Sequence, residues 1–139
     1  MITAMLNGRP PTERLSRSMS CRPESARAAR TLVGEALDAW GLGDLSEDSR
    51  LVVSELVGNA VRHTGCTRIT VSIERLLVGV RVSVRDSSGS LPVVLPTTDS
   101  EESGRGMGLV NEVATRWGVN DAPFGKVVWA EIATTPEPK

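Results

Sequence analysis

Between residues 69 and 84 the chain alternates in a way that leaves few folds open. Ile69, Val71 and Ile73 are separated by polar residues, and Val78, Val80, Val82 and Val84 repeat the pattern. Successive side chains of a strand point to opposite faces, so each run predicts a strand with one buried face. The apolar surface they share needs a covering layer. Helical spacing supplies it upstream, where Ala26, Ala29, Leu32, Val33, Ala36, Leu37 and Trp40 recur at steps of three and four. Pro23 suits the first turn and Gly41 a left-handed stop. A second helix is predicted over 46–64, opened by Ser46 with Glu47 and Asp48 at its positive end and stopped by Gly65. A third follows a glycine cluster at 104–108, running through Leu109, Val110, Val113 and Ala114 to Trp117, with Gly118 ending it. A short edge strand over 15–21 and a last hairpin, near Val119 and over 127–132, complete the order. Helices and strands segregate along the chain, which predicts an α+β two-layer sandwich rather than a parallel α/β sheet.

Composition bounds the rest. With 139 residues, 40% hydrophobic and 24% charged, the chain has the size and balance of one ordinary domain. No apolar run approaches the ~20 residues of a membrane span, and no secretory signal opens the sequence, so a soluble, cytoplasmic protein without membrane contact is expected. A net charge of −1 argues against direct nucleic-acid binding, although residues 1–30 carry six Arg against Glu13 and Glu24. Cys21 and Cys66 form no C-x-x-C pair, and reduced thiols are expected. The expected organisation is a disordered arm over 1–14, one domain over 15–133 and a frayed tail over 134–139.

Three segments carry candidate chemistry. On the second helix Glu55, Asn59 and His63 recur every four residues, forming a polar stripe at the edge of a wide apolar arc, with Arg62 alongside. Such a stripe lines something polar, or pairs with itself and nearby loops. Asp86 continues the inward parity of Val80, Val82 and Val84. If the strand persists, its carboxylate is buried and needs strong donors; if it stops at Arg85, Asp86 is an ordinary turn residue. The third segment is Gly104-Arg105-Gly106-Met107-Gly108 before Leu109, either an anion cradle at a helix N-terminus or a hinge. Between Asp86 and that cluster, residues 87–103 are rich in Ser, Thr and Pro and longer than a connecting loop requires.

In order and separation, these blocks resemble the GHKL (Bergerat-type) ATP-binding domains. The segment Glu55-Leu-Val-Gly-Asn59-Ala-Val-Arg-His63 resembles their N box. Asp86-Ser-Ser88-Gly-Ser-Leu-Pro92 resembles the first glycine box, and Gly104-Arg-Gly-Met-Gly-Leu-Val110 the second. Within that superfamily the short chain, the Arg116-Trp117-Gly118-Val119 segment and the strand from Gly125 look like the bacterial anti-sigma factor serine kinases. The resemblance implies the Bergerat fold, a mixed, mostly antiparallel sheet with helices on one face. It also implies ATP and Mg²⁺ as ligands, Asn59 as the metal ligand, Glu55 as the base orienting an attacking hydroxyl, and Asp86 as acceptor for the adenine amine. Ser88, Gly104, Arg105, Gly106, Met107, Gly108 and Leu109 would line the nucleotide, His63 would lie near phosphate or partner, and 87–103 would form the ATP lid. Its partners would be a sigma factor and a STAS-type anti-anti-sigma protein, with homodimerisation through the first helix and strand.

Some positions depart from the family pattern. Many members carry D-x-G-x-G in the first box, where this chain has Ser88 and Ser90, and a Thr common in the last strand is replaced by Val127, which implies a hydroxyl lost beside the nucleotide. No phosphoacceptor domain or dimerisation helix of the sensor-kinase type is visible, so a stand-alone regulatory kinase is expected, or a nucleotide-gated binding module of the same fold without kinase activity.

Overall fold

The computed structural model describes residues 13–63, 67–86, 101–123 and 125–134, excepting the side chains of His63 and of residues 101–106. The described elements are β1 (Arg14–Ser20), α1 (Ser25–Ala39), a 3-10 turn (Gly43–Leu45), α2 (Ser46–His63), β2 (Arg68–Leu76), β3 (Gly79–Asp86), α3 (Glu101–Val113), β4 (Arg116–Ala122) and β5 (Gly125–Ala133). The strands form one sheet in the order β1-β2-β3-β5-β4. Each pairing among the described residues is antiparallel. All three helices lie against the face that carries the apolar alternation: α1 packs on β1 and β2, and α2 on β3, β5 and both other helices. This is the two-layer α+β sandwich that the element order predicts.

The core between the layers follows from the two periodicities. Ile69, Val71 and Ile73 of β2 and Val80 and Val82 of β3 are fully buried, against Leu32, Val33 and Leu37 of α1 and Val52, Val53, Leu56 and Val57 of α2. Gly41 takes the left-handed conformation, φ 72°, that closes α1. The opposite face carries a row of charges in strand register, with Arg14 facing Glu74, Glu74 facing Arg81, and both Arg81 and Arg116 facing Glu131. Ion pairs within it span Arg14–Glu74 at 3.8 Å, Arg81–Glu131 at 2.5 Å and Arg116–Glu131 at 3.0 Å.

Three expectations are corrected. First, α3 starts at Glu101, so the glycine cluster lies inside the helix instead of before it. Met107 packs against the core and Val110 is fully buried, one helical turn apart, which fixes this stretch to the apolar layer. Second, α3 ends at Val113, leaving Trp117 and Gly118 in β4. Trp117 pairs with Ala130 and donates its indole N–H to Asn111 Oδ1 at 3.1 Å. Gly118 is no helix stop; a Cβ there would stand 2.7 Å from Trp129 Cζ2, so glycine is needed for the indole to lie across β4. Third, Cys21 is disulfide-bonded rather than a free thiol. Its backbone N–H donates to the Thr67 carbonyl at 2.9 Å, extending the β1–β2 ladder to the residue after Cys66, the chain's only other cysteine.

Candidate functional site

Asp86 is the last residue of β3, and its side chain points into the helix-covered layer with 4% of its surface exposed. The strand therefore persists through Asp86, and the buried reading holds over the turn reading. A carboxylate in that position requires compensation. Among the described residues it comes from Lys126, whose Nζ lies 3.8 Å from Asp86 Oδ2. The register explains the meeting: Val84 faces Val128 and Arg85 faces Val127, so Asp86 comes opposite Lys126 on the inner face. Gly125 lies directly against Asp86, where an added Cβ would come 2.5 Å from Oδ1, so glycine is what lets the start of β5 close up on the carboxyl.

Glu55 and Asn59 lie on α2, one turn apart and half-buried, beside the fully buried Leu56. His63 is the last residue of the helix; its side chain lies outside the described part. Arg62 is exposed and folds back along the helix, its Nη1 3.3 Å from where a Gly58 Cβ would stand. Because α2 packs on both β3 and α3, the helix with the Glu55–Asn59 stripe lies between the strand that ends in Asp86 and the helix that contains the glycine cluster.

Within α3, Gly104, Arg105 and Gly106 are placed by their backbone alone, Met107 and Leu109 are half-buried, and Gly108 is exposed. A Cβ at Gly108 would meet nothing within 4 Å. Packing therefore gives no reason for glycine there, although glycine costs a helix about 1 kcal/mol relative to alanine. Backbone freedom is the property that remains. Ser88 and the rest of the expected lid up to residue 100 fall outside the described residues.

The three segments thus stand on elements that pack together: a buried carboxylate at the end of β3, a half-buried carboxylate and amide on α2, and a glycine-rich stretch within α3. The sequence model of the histidine kinase-like ATPase domain matches residues 19–132, which contain all of them. The chain belongs to that family. Among curated proteins, none matches it.

As a histidine kinase-like (GHKL-type) ATPase domain, the chain is an ATP-binding module, and the residues present suit the ligand. Asp86 supplies a buried carboxylate acceptor with the Lys126 ammonium 3.8 Å from it. One residue of this pair was not singled out by sequence reasoning, namely Lys126. Its signal lies in the strand parity, which places it on the face of Val128 and Ala130, opposite Asp86. The same parity puts Val127 on the face of Arg85 and Trp129, on the far side of the sheet from the Asp86 carboxyl.

Proposed function

We propose that the protein is an ATP-dependent regulatory serine kinase of the anti-sigma type, acting on a serine of a small STAS-type antagonist and binding a sigma factor as its other partner. The observation that carries this reading is the buried Asp86 at the end of β3, beside the helix that presents Glu55 and Asn59, within a histidine kinase-like ATPase domain. Asp86 accepts a hydrogen bond from the adenine amine. Asn59 offers an amide oxygen to Mg²⁺, a hard cation that also takes phosphate and water oxygens. Glu55, one turn earlier, accepts the proton of the attacking serine hydroxyl as that oxygen bonds to the γ-phosphorus and ADP leaves. Phosphoryl transfer mostly demands positioning and charge stabilisation, and a half-buried carboxylate on a rigid helix supplies the first.

The test is direct. Purified protein incubated with Mg-ATP and candidate antagonists should add one phosphate to a serine, read by mass spectrometry, and Glu55→Ala should abolish the transfer while ATP binding persists. Transfer that survives Glu55→Ala removes Glu55 as the base.

A second reading is favoured by one observation. With the glycine cluster inside α3, the N–H groups beyond its first turn are committed to the helix, and reaching a phosphate requires the first turns to unwind. A nucleotide-gated binding module, whose α3 reports ATP to a protein partner, uses that change without any transfer. Tight ATP binding without phosphorylation of any antagonist selects it.

A further inference from the structure

The nucleotide reading gives Asp86 a task but leaves its partner Lys126 unused. The two side chains come from facing positions on β3 and β5, and both are largely enclosed, with 5% and 17% of their side-chain surfaces exposed. They stand 3.8 Å apart, wider than the 2.7–2.9 Å of a direct charge-assisted hydrogen bond. The ammonium and the carboxylate are therefore close enough to neutralise each other, and not locked together. Their capacities are complementary: an ionised Asp only accepts, and Lys only donates. A ligand edge that presents a donor beside an acceptor matches the pair. Adenine has such an edge, its exocyclic N6 amine adjoining the ring nitrogen N1.

We propose that Lys126 reads the base: its ammonium donates to adenine N1 while Asp86 accepts from the N6 amine. This rests on the nucleotide reading above. Gly125 lies against Asp86 without a Cβ, so the carboxyl keeps its position beside Lys126. Asp121, which faces Lys126 from β4, is exposed, so the ammonium has its enclosed contact on the Asp86 side. Guanine presents the reverse order, an acceptor at O6 and a donor at N1, and fits the same pair less well.

The measurement is calorimetric affinity of the full chain, with Mg²⁺, for ATP, GTP and 1-deaza-ATP, in which N1 is replaced by C–H. Since hydrogen bonds to charged groups contribute about 1.5–3 kcal/mol, the wild-type protein should bind 1-deaza-ATP roughly 10- to 100-fold more weakly than ATP. Lys126→Met should bind both analogues alike, near the weaker value, and GTP should bind the wild type more weakly than ATP. Equal wild-type affinity for ATP and 1-deaza-ATP overturns the proposal and makes Lys126 a counter-ion only; this arm needs no variant to fold. Preference for GTP overturns the assignment of N1 as the acceptor. A wild-type protein that binds neither ATP nor GTP overturns the nucleotide reading as well, and so differs from failure of Lys126 alone.

Discussion

Glu131 is held on the outer face of the sheet by two guanidiniums. Partial burial pushes its carboxyl up, but hydrogen bonds from Arg81 and Arg116 and the charges of both outweigh that, and its pKa lies below the ordinary 4.5. A carboxylate whose folded pKa is depressed contributes stability that is complete above its unfolded pKa and lost as pH falls through the folded one. Denaturation midpoints of the wild type and Glu131→Gln should therefore differ most at neutral pH and converge in acid, below the usual glutamate range. A constant difference across pH removes the ionic account. Ser49 is the reverse case. Its hydroxyl is fully buried on α2 and has no hydrogen-bond partner among the described residues. An unsatisfied buried hydroxyl costs about 1–3 kcal/mol, and alanine is the better helix former, so Ser49→Ala should stabilise the fold by about 1 kcal/mol or more in urea titration. Destabilisation would mean that the hydroxyl has a partner after all.

Among the elements, α3 carries the sharpest prediction. Gly108 sits in that helix with open space around its missing Cβ, so Gly108→Ala should raise stability by about 1 kcal/mol. If the N–H groups of this stretch must leave the helix to meet phosphate, the same change should weaken Mg-ATP binding, and a variant that gains stability without losing affinity separates the cluster from the nucleotide. The elements also show what the sequence can and cannot tell. The parity of Val80, Val82 and Val84 located the buried face of β3, and it extended correctly to Asp86. Helix periodicity located the core sides of α1 and α2. Glycine as punctuation predicts both ends of α3 wrongly, because the helix continues through 104–108 under the anchoring of Met107 and Val110. Gly118 serves a packing contact with Trp129 across two strands, which local sequence does not encode. Lys126 was missed for a related reason. Its meeting with Asp86 depends on the β3–β5 register, set over a separation of forty residues.

At the scale of the molecule, Met19, Ile69 and Asp86 fall in one register line across the sheet, and the Cys21 disulfide lies two residues beyond Met19. The only other cysteine is Cys66. An intrachain bond from Cys21 therefore closes a loop of about 45 residues containing α1 and α2, for which chain entropy gives a stabilisation on the order of 3–4 kcal/mol. Part of that is offset wherever the reduced, unfolded chain keeps structure. Reduction should consequently lower the melting temperature by several degrees, on the order of 10 °C for a domain of this size. Mg-ATP acts on the same equilibrium from the native side. Ligand at one hundred times its Kd contributes about 2.7 kcal/mol, so saturating nucleotide should restore most of what reduction removes. Melting curves of oxidised and reduced protein, each with and without Mg-ATP, measure both effects together. Equal ATP-induced shifts in the two redox states mean that the disulfide supports the fold without touching the site. A smaller shift in the reduced protein means that the covalent tie near the start of β2 also holds the Asp86 end in the geometry that nucleotide needs.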